Sequence, residues 1–249
     1  MPPGSALQSL WDGILHHVGV AGVASPAFLL TAVVAGVYLP GVVFSFVDVV
    51  VTRRLTLAQC WAVYWRAMKW YGPLYVVAMI AFWAVPMTLL LRVPTTAPTL
   101  LELGRDLVIY FLLGDVISYF WHRYEHANGW YMRRVHYHHH VDTPPLSIWT
   151  AMVVHPVEGF SVFACFHSYG ILFPIHPLTF AIGAFSVTAV NMITHCGYRL
   201  PVYDWFFATA REHDIHHASR EPRNISVMLS ICDRMFGTFE KAMPGEFRR

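Results

Sequence analysis

The stretch VHYHHHVD, residues 135–142, puts four histidines into five positions. No regular backbone points His136, His138, His139 and His140 the same way. Successive helical residues turn by about 100°, so on a helix His136, His139 and His140 fall within about 100° of one another. His138 then points to the opposite side. The stretch therefore reads as H-x-x-H-H with one bystander. The same spacing returns in HDIHH, as His213, His216 and His217. In WHRYEH, His122 and His126 are four apart, one turn apart on one helix face. His195 follows in NMITHC, one turn after Asn191, and His155 lies in VHPVEG.

Imidazole clusters of this kind hold transition metals. The two boxes, the first pair and His195 supply nine candidate ligands: His122, His126, His136, His139, His140, His195, His213, His216 and His217. His155 is a tenth candidate or a group that supports one. Nine imidazoles exceed the shell of one ion and suit two. Imidazole accepts Fe, Zn, Cu and Ni, so spacing does not name the metal. Asp115 and Tyr119 precede His122 and His126 on one stripe. An acid inside an apolar helix is expensive and usually functional. Asp115 is a candidate to accept a hydrogen bond from a ligand imidazole or a nearby polar group.

The elements carrying these residues are apolar. The 249 residues are 56% hydrophobic and 13% charged, with mean hydropathy +0.45. A soluble domain carries about 25% charged residues. No Asp, Glu, Lys or Arg occurs in residues 13–47, 70–91 or 159–198. A bilayer core needs about 20 mostly apolar residues per helix. One span is expected at roughly 27–47, one in 70–91 and one at 107–121, where Asp115 is the single acid. The stretch 159–198 holds two more as a hairpin, reversed at FPIHP (173–177). The predicted class is all-α, an integral membrane protein of about four transmembrane helices with a cytoplasmic histidine-rich helical cap. Residues 1–249 form one domain, without repeats or a linker.

Basic residues favour the cytoplasmic side. Arg53, Arg54, Arg66 and Lys69 follow the first span, and residues 199–249 hold eight of the seventeen Lys and Arg. This places the N-terminus outside and the histidine segments on the cytoplasmic face, in a bacterial inner membrane or the endoplasmic reticulum. Thirteen of the fifteen histidines lie between His122 and His217. His16 and His17 are read as surface residues on a short amphipathic interfacial helix over 6–20, and His138, His167 and His176 as structural. No basic residue precedes Arg53, so no cleavable signal peptide is expected. Cys60, Cys165, Cys196 and Cys232 lack metal-site spacing and are read as buried thiols. A net charge of +2 gives no reason to expect nucleic acid.

The order HRYEH, HYHHH, ITH, HDIHH resembles the fatty acid hydroxylase/sterol desaturase superfamily of membrane di-iron enzymes. DVISYFWHR, HPVE and DRMFGTF (233–239) look like the family too, and the resemblance covers about 110–240. Cys232 stands where the family's tail motif often has Trp, and NIS (224–226) where it often has N-Y-G. The resemblance implies two iron ions, which zinc can replace in a purified protein. It also implies oxidation by O2 of an unactivated C–H bond in a membrane lipid: a sterol, a fatty acyl or sphingoid chain, or a carotenoid. Hydroxylation is the favoured outcome and desaturation the alternative. There is no G-x-G-x-x-G, P-loop or H-P-G-G haem stretch. Electrons are therefore expected from a separate ferredoxin, or a cytochrome b5 with its reductase. Two other classes compete. HRYEH also fits the H-x-x-E-H zinc-peptidase motif with Glu125 as base, which leaves both H-x-x-H-H boxes idle. A metal transporter would place its ligands near the bilayer midplane rather than beyond helix ends.

Overall fold

The computed structural model describes residues 5–89, 92–200, 207–219 and 222–241. Leu90 and Leu91 of the second apolar stretch, and Arg220, Arg248 and Arg249 of the basic tail, lie outside them. Among the described residues every regular element is helical. Helix α1 (Ala6–Ala24) is capped by Ser5, whose side chain accepts from the Gln8 N–H. Helix α2 (Pro26–Phe46) starts with proline in its first turn and runs into a π-helical turn, Val47–Val51. Helix α3 covers Leu57–Leu89. Helix α4 (Leu100–Ala127) is longer than expected. Its start is set by a capping box, in which Thr99 and Glu102 satisfy each other's exposed N–H groups. Its end is set where Asn128 caps α5 (Gly129–Arg134).

The predicted hairpin is present in altered form. Its arms are α6 (Pro156–Phe166), continued by α7 (Ser168–Leu172), and α8 (Pro177–Ile193). The chain reverses between α7 and α8, as the two prolines of FPIHP predict. At about 1.5 Å per residue, α6 is about 16 Å long and α8 about 26 Å, both short of a bilayer core of about 30 Å. Residues of α8 are buried on most faces, including Leu178, Phe180, Ala184, Val187 and Met192. Apolar character all round suits a helix sheathed by others as well as one in lipid. Among the described residues one helical stretch, Pro26–Val51, is long and apolar enough to cross a membrane.

The core is built where α8 packs against α2 and α4 and α6 packs against α4, through Leu29, Val33, Tyr110, Phe163, Phe180 and Val187. Small residues let the backbones approach. A Cβ at Gly36 would lie 2.7 Å from the Phe185 carbonyl oxygen, and one at Gly114 would lie 2.9 Å from that of Phe166. His167 is part of this core and hydrogen-bonds Tyr110. His176 caps α8 through the Leu178 N–H and donates to the Thr96 carbonyl. Both are structural, as expected. All four cysteines are free and buried.

Two polar knots tie loops to this bundle. Arg54 donates to Asp48 Oδ1 and to the carbonyls of Leu146 and Cys196, at 2.8, 2.9 and 2.9 Å. It also lies over the Tyr198 ring. Burial opposes its charge, but the Asp48 bond and charge outweigh burial and hold its pKa above the ordinary value. The second knot is Asp233, on α10 (Ile231–Phe236). Its carboxylate accepts from Ile225 N–H, Ser226 N–H and Thr238 Oγ1 at 2.8, 2.9 and 2.7 Å. Asn224 adopts φ 47°, a left-handed turn that Asn tolerates. Its side chain bridges the Glu212 and Glu240 carbonyls.

Arg54→Ala should lower stability by about 3 kcal/mol, since it strands Asp48 in the interior. Thermal unfolding in detergent should show a clear drop, and exposed Lys69→Ala should show almost none. Equal curves would mean that the Arg54 knot is not structural. Asp233→Ala should speed amide exchange at Ile225 and Ser226 about 100-fold, the scale of a charged hydrogen bond worth about 1.5–3 kcal/mol. Unchanged exchange there would show that another contact holds the loop.

Candidate metal centre

Four segments converge. Helix α4 ends with His122 and His126 one turn apart. A single 3₁₀ turn, His136–His138, carries the second box. His195 follows the end of α8. Helix α9 (Ala210–Ala218), started by a Thr209–Glu212 capping box, carries the third. The side chains form two clusters. His122, His126, His136, His140 and His216 make one, and His139, His195, His213 and His217 the other, with the ligand atoms of each cluster within 4.8 Å of one another. In both boxes the first and fifth residues join one cluster and the fourth joins the other. The two boxes are used in opposite senses. His136 and His140 serve the five-histidine cluster, and His213 and His217 the four-histidine one.

The nitrogen separations have the scale of a coordination shell. Nε2 of His136 lies 3.1, 3.1 and 3.0 Å from the Nε2 atoms of His122, His126 and His140. His126 and His216 are 3.3 Å apart. In the other cluster His139–His195, His195–His213 and His213–His217 are 3.4, 2.9 and 3.2 Å. Two imidazole nitrogens bound to one ion at about 2.1 Å lie about 3.0 Å apart at a right angle, and about 3.4 Å apart at the tetrahedral angle.

Protonation supports the same reading. Six rings turn Nδ1 outward. His122, His139, His195, His216 and His217 donate to the carbonyls of Ile225, Val153, Asn191, Arg223 and Asp142. His136 meets Glu158 Oε1 at 2.9 Å. A carbonyl accepts only from N–H, so the proton sits on Nδ1 and a neutral ring presents a bare lone pair at Nε2. Burial, then neighbouring histidines, holds His136, His139, His213 and His216 well below the ordinary imidazole pKa. Bare lone pairs about 3 Å apart repel unless a cation lies between them. The donor set therefore fits two transition-metal ions.

The structure places the remaining candidates differently. The second box is not an α-helix. His139 N–H bonds the His136 carbonyl at 2.9 Å, and His140 N–H reaches the same oxygen at 3.4 Å. The tighter turn arises because Val135, which caps α5, leaves helical geometry. His138 is exposed, with its ring against that of His155. His155 is the N-cap of α6, accepting the Val157 N–H at 3.2 Å, and belongs to neither cluster. Asn191 supports His195 by its carbonyl, one turn back. Asp115 accepts the Leu229 N–H at 3.0 Å and so fixes the tail beside the site; it contacts no ligand ring. Sequence reasoning assigned no role to Asp233, Asn224 or Glu158. Asp233 and Asn224 shape the 223–226 loop whose carbonyls hold His216 and His122. Their signal lies in DRMFGTF, NIS and HPVE, which flank the histidine segments.

A cavity opens beside both clusters. His122, His136, His139, His195 and His213 line it, together with Glu125 and Glu158. Trp121, Val162, Phe166 and Val227 form apolar parts of the lining. The arrangement presents an apolar group to both clusters at once. Glu125 does not face the ligand side of His136. It sits 3.6 Å from that ring's Nδ1, and the histidines of both H-x-x-H-H boxes join the clusters, which the zinc-peptidase motif alone leaves unexplained.

Residues 107–238 match the family model for fatty acid hydroxylase. A cholesterol 25-hydroxylase-like protein of Caenorhabditis briggsae is 31% identical over 93% of this chain and 81% of its own length. Methylsterol monooxygenase 1-1 of Arabidopsis thaliana is 29% identical over 57% of this chain and 49% of its own. Sphinganine C4-monooxygenase 2 of the same plant is 32% identical over 57% of this chain and 56% of its own. No solved structure gives a significant match. The boxes, the hairpin return and all but the last residue of the tail motif fall inside the matched region, and the chain belongs to the fatty acid hydroxylase family.

Proposed function

We propose that this protein is a membrane-bound di-iron oxygenase that hydroxylates a C–H bond of a lipid, using O2 and electrons from a separate donor. The observation that carries the reading is the cavity lined by histidines of both clusters and by apolar side chains, with Glu125 and Glu158 beside His136. The nine histidines would hold two iron ions. Bound iron would supply what side chains lack, the reduction of dioxygen and the attack on an aliphatic C–H bond. Trp121, Val162, Phe166 and Val227 would seat an apolar chain and keep water from it. The carbonyls of Ile225, Arg223, Val153, Asp142 and Asn191 keep five of the rings in the tautomer that presents Nε2.

The chain is proposed to be a multi-pass membrane protein of about four spans, with the histidine cap on the cytoplasmic face. The basic residues after α2 and in the tail support that orientation. The electron donor would then be a ferredoxin or a cytochrome b5 with its reductase. Sterols, fatty acyl or sphingoid chains and carotenoids are the candidate substrates. The matched sterol and sphinganine enzymes support the first two classes.

Expression in a lipid-rich host with a ferredoxin or cytochrome b5 partner, followed by lipid mass spectrometry, tests this. The expected product carries one added oxygen atom. Loss of two hydrogens would make the protein a desaturase, and no lipid change with a competent donor would overturn the reading. His139→Ala and His216→Ala should each lower product by more than about 100-fold, because even supporting groups around a metal cost about 10–100-fold. His138→Ala should keep most of it. An equally dead His138→Ala would contradict its outward placement.

A further inference from the structure

His136 differs from the other clustered rings in what stands behind it. Among the described Nδ1 contacts, five rings donate to a carbonyl and His136 meets a carboxylate, Glu158, at 2.9 Å. A second carboxylate, Glu125, lies 3.6 Å from the same nitrogen. Both acids are buried, at 2% and 1% exposure. Glu158 Oε2 and both Glu125 oxygens make no hydrogen bond. Trp121 and Tyr131 lie near Glu125 without bonding geometry. Among the described residues, the ion-pair partner of either acid is His136.

Two adjacent buried carboxylates repel, and neither is stable as an anion without compensating positive charge. The described residues place no Lys or Arg against them. A cation bound at Nε2 of His136 would supply that charge through the ring. The effect runs both ways, since a carboxylate behind a ligand imidazole raises its basicity and fixes its orientation. His136 is also the hub of its cluster, with three Nε2 neighbours at 3.0–3.1 Å. In the four-histidine cluster the described supports, behind His139, His195 and His217, are neutral carbonyls.

We propose that Glu158, with Glu125 behind it, is a positioning pair that makes the five-histidine site the tighter and electronically distinct member of an unequal pair of metal sites. The inference rests on the two-metal reading above. It assigns Glu125 and Glu158, which also border the cavity, to metal binding through His136.

The test is titration of metal-free full-length protein in detergent with cobalt(II), followed by its visible absorption. Wild type should bind two ions in separate steps. His195→Ala, which breaks the four-histidine site, should keep the tighter step. Glu158→Gln preserves shape and a hydrogen-bond acceptor but removes charge. It should weaken the tighter step by about 10–100-fold, shift that ion's absorption bands and leave the weaker step unchanged. Glu125→Gln should weaken the same step by less, and it decides by the same criteria if Glu158→Gln does not fold. Equal weakening of both steps, or of neither, would overturn the inference and leave the two-metal reading intact. Fewer than two ions on wild type would overturn the two-metal reading itself, and Glu158→Gln would then report on whichever ion remained.

Discussion

The whole site depends on one requirement: nine imidazoles must meet in a largely buried space with ring nitrogens about 3 Å apart. Left alone, the arrangement is unfavourable. Each ring loses hydration, neighbouring lone pairs repel, and burial prevents relief by protonation. Nitrogen separations of 2.9–3.4 Å suit a shared cation. The protein's task is then to hold the rings where that cation is bound, and it does so from behind. The loop at 223–226 illustrates how far back this reaches. Asp233 orders the amides of Ile225 and Ser226, and Ile225 in turn gives its carbonyl to His122. Arg223 gives its carbonyl to His216. One carboxylate thus steadies rings on two different helices.

The helical bundle explains why these particular segments meet. Helix α8, largely apolar, packs against α2 and α4, α6 packs against α4, and close approach at Gly36 and Gly114 brings their ends together. His122 and His126 at the end of α4 and His195 after α8 therefore emerge side by side. Arg54 draws the carbonyls of Leu146 and Cys196 toward the end of α2, fixing the return of the hairpin next to the loop that follows the second box. The same packing places the cavity between the rings and the bundle. A group there would touch apolar side chains and the clustered rings together.

Much of the site was legible because helical spacing is strict. His122 with His126, and His213 with His217, are one turn apart and must share a face; the reversal at FPIHP follows from proline chemistry. The opposite bystander His138 was legible for the same reason, although its local backbone is a 3₁₀ turn. Two features were less legible. An apolar run does not say whether its neighbour is lipid or protein, so the hairpin read as two full spans although α6 has 11 residues and α8 17. Backbone carbonyls also have no residue type. The supports at Ile225, Arg223, Val153 and Asp142 left no mark of their own, and only Asp233 and Asn224, which shape one of those loops, appear as letters.

HRYEH shows how geometry decides between two chemistries that share a motif. A glutamate preceding the second histidine acts as a base only if it faces the ligand side of the metal-binding rings. Here Glu125 is buried behind His136, near Nδ1 and away from Nε2, beside a second acid. It borders the cavity as well, but its contact with the ring is at Nδ1, from where it can set the charge on His136. The unusual burial of Glu125 and Glu158, which would be a fault in an ordinary core, follows if a strong positive charge lies one imidazole away. The carboxylates and the metal would then each make the other's position tenable, with His136 as the conductor between them.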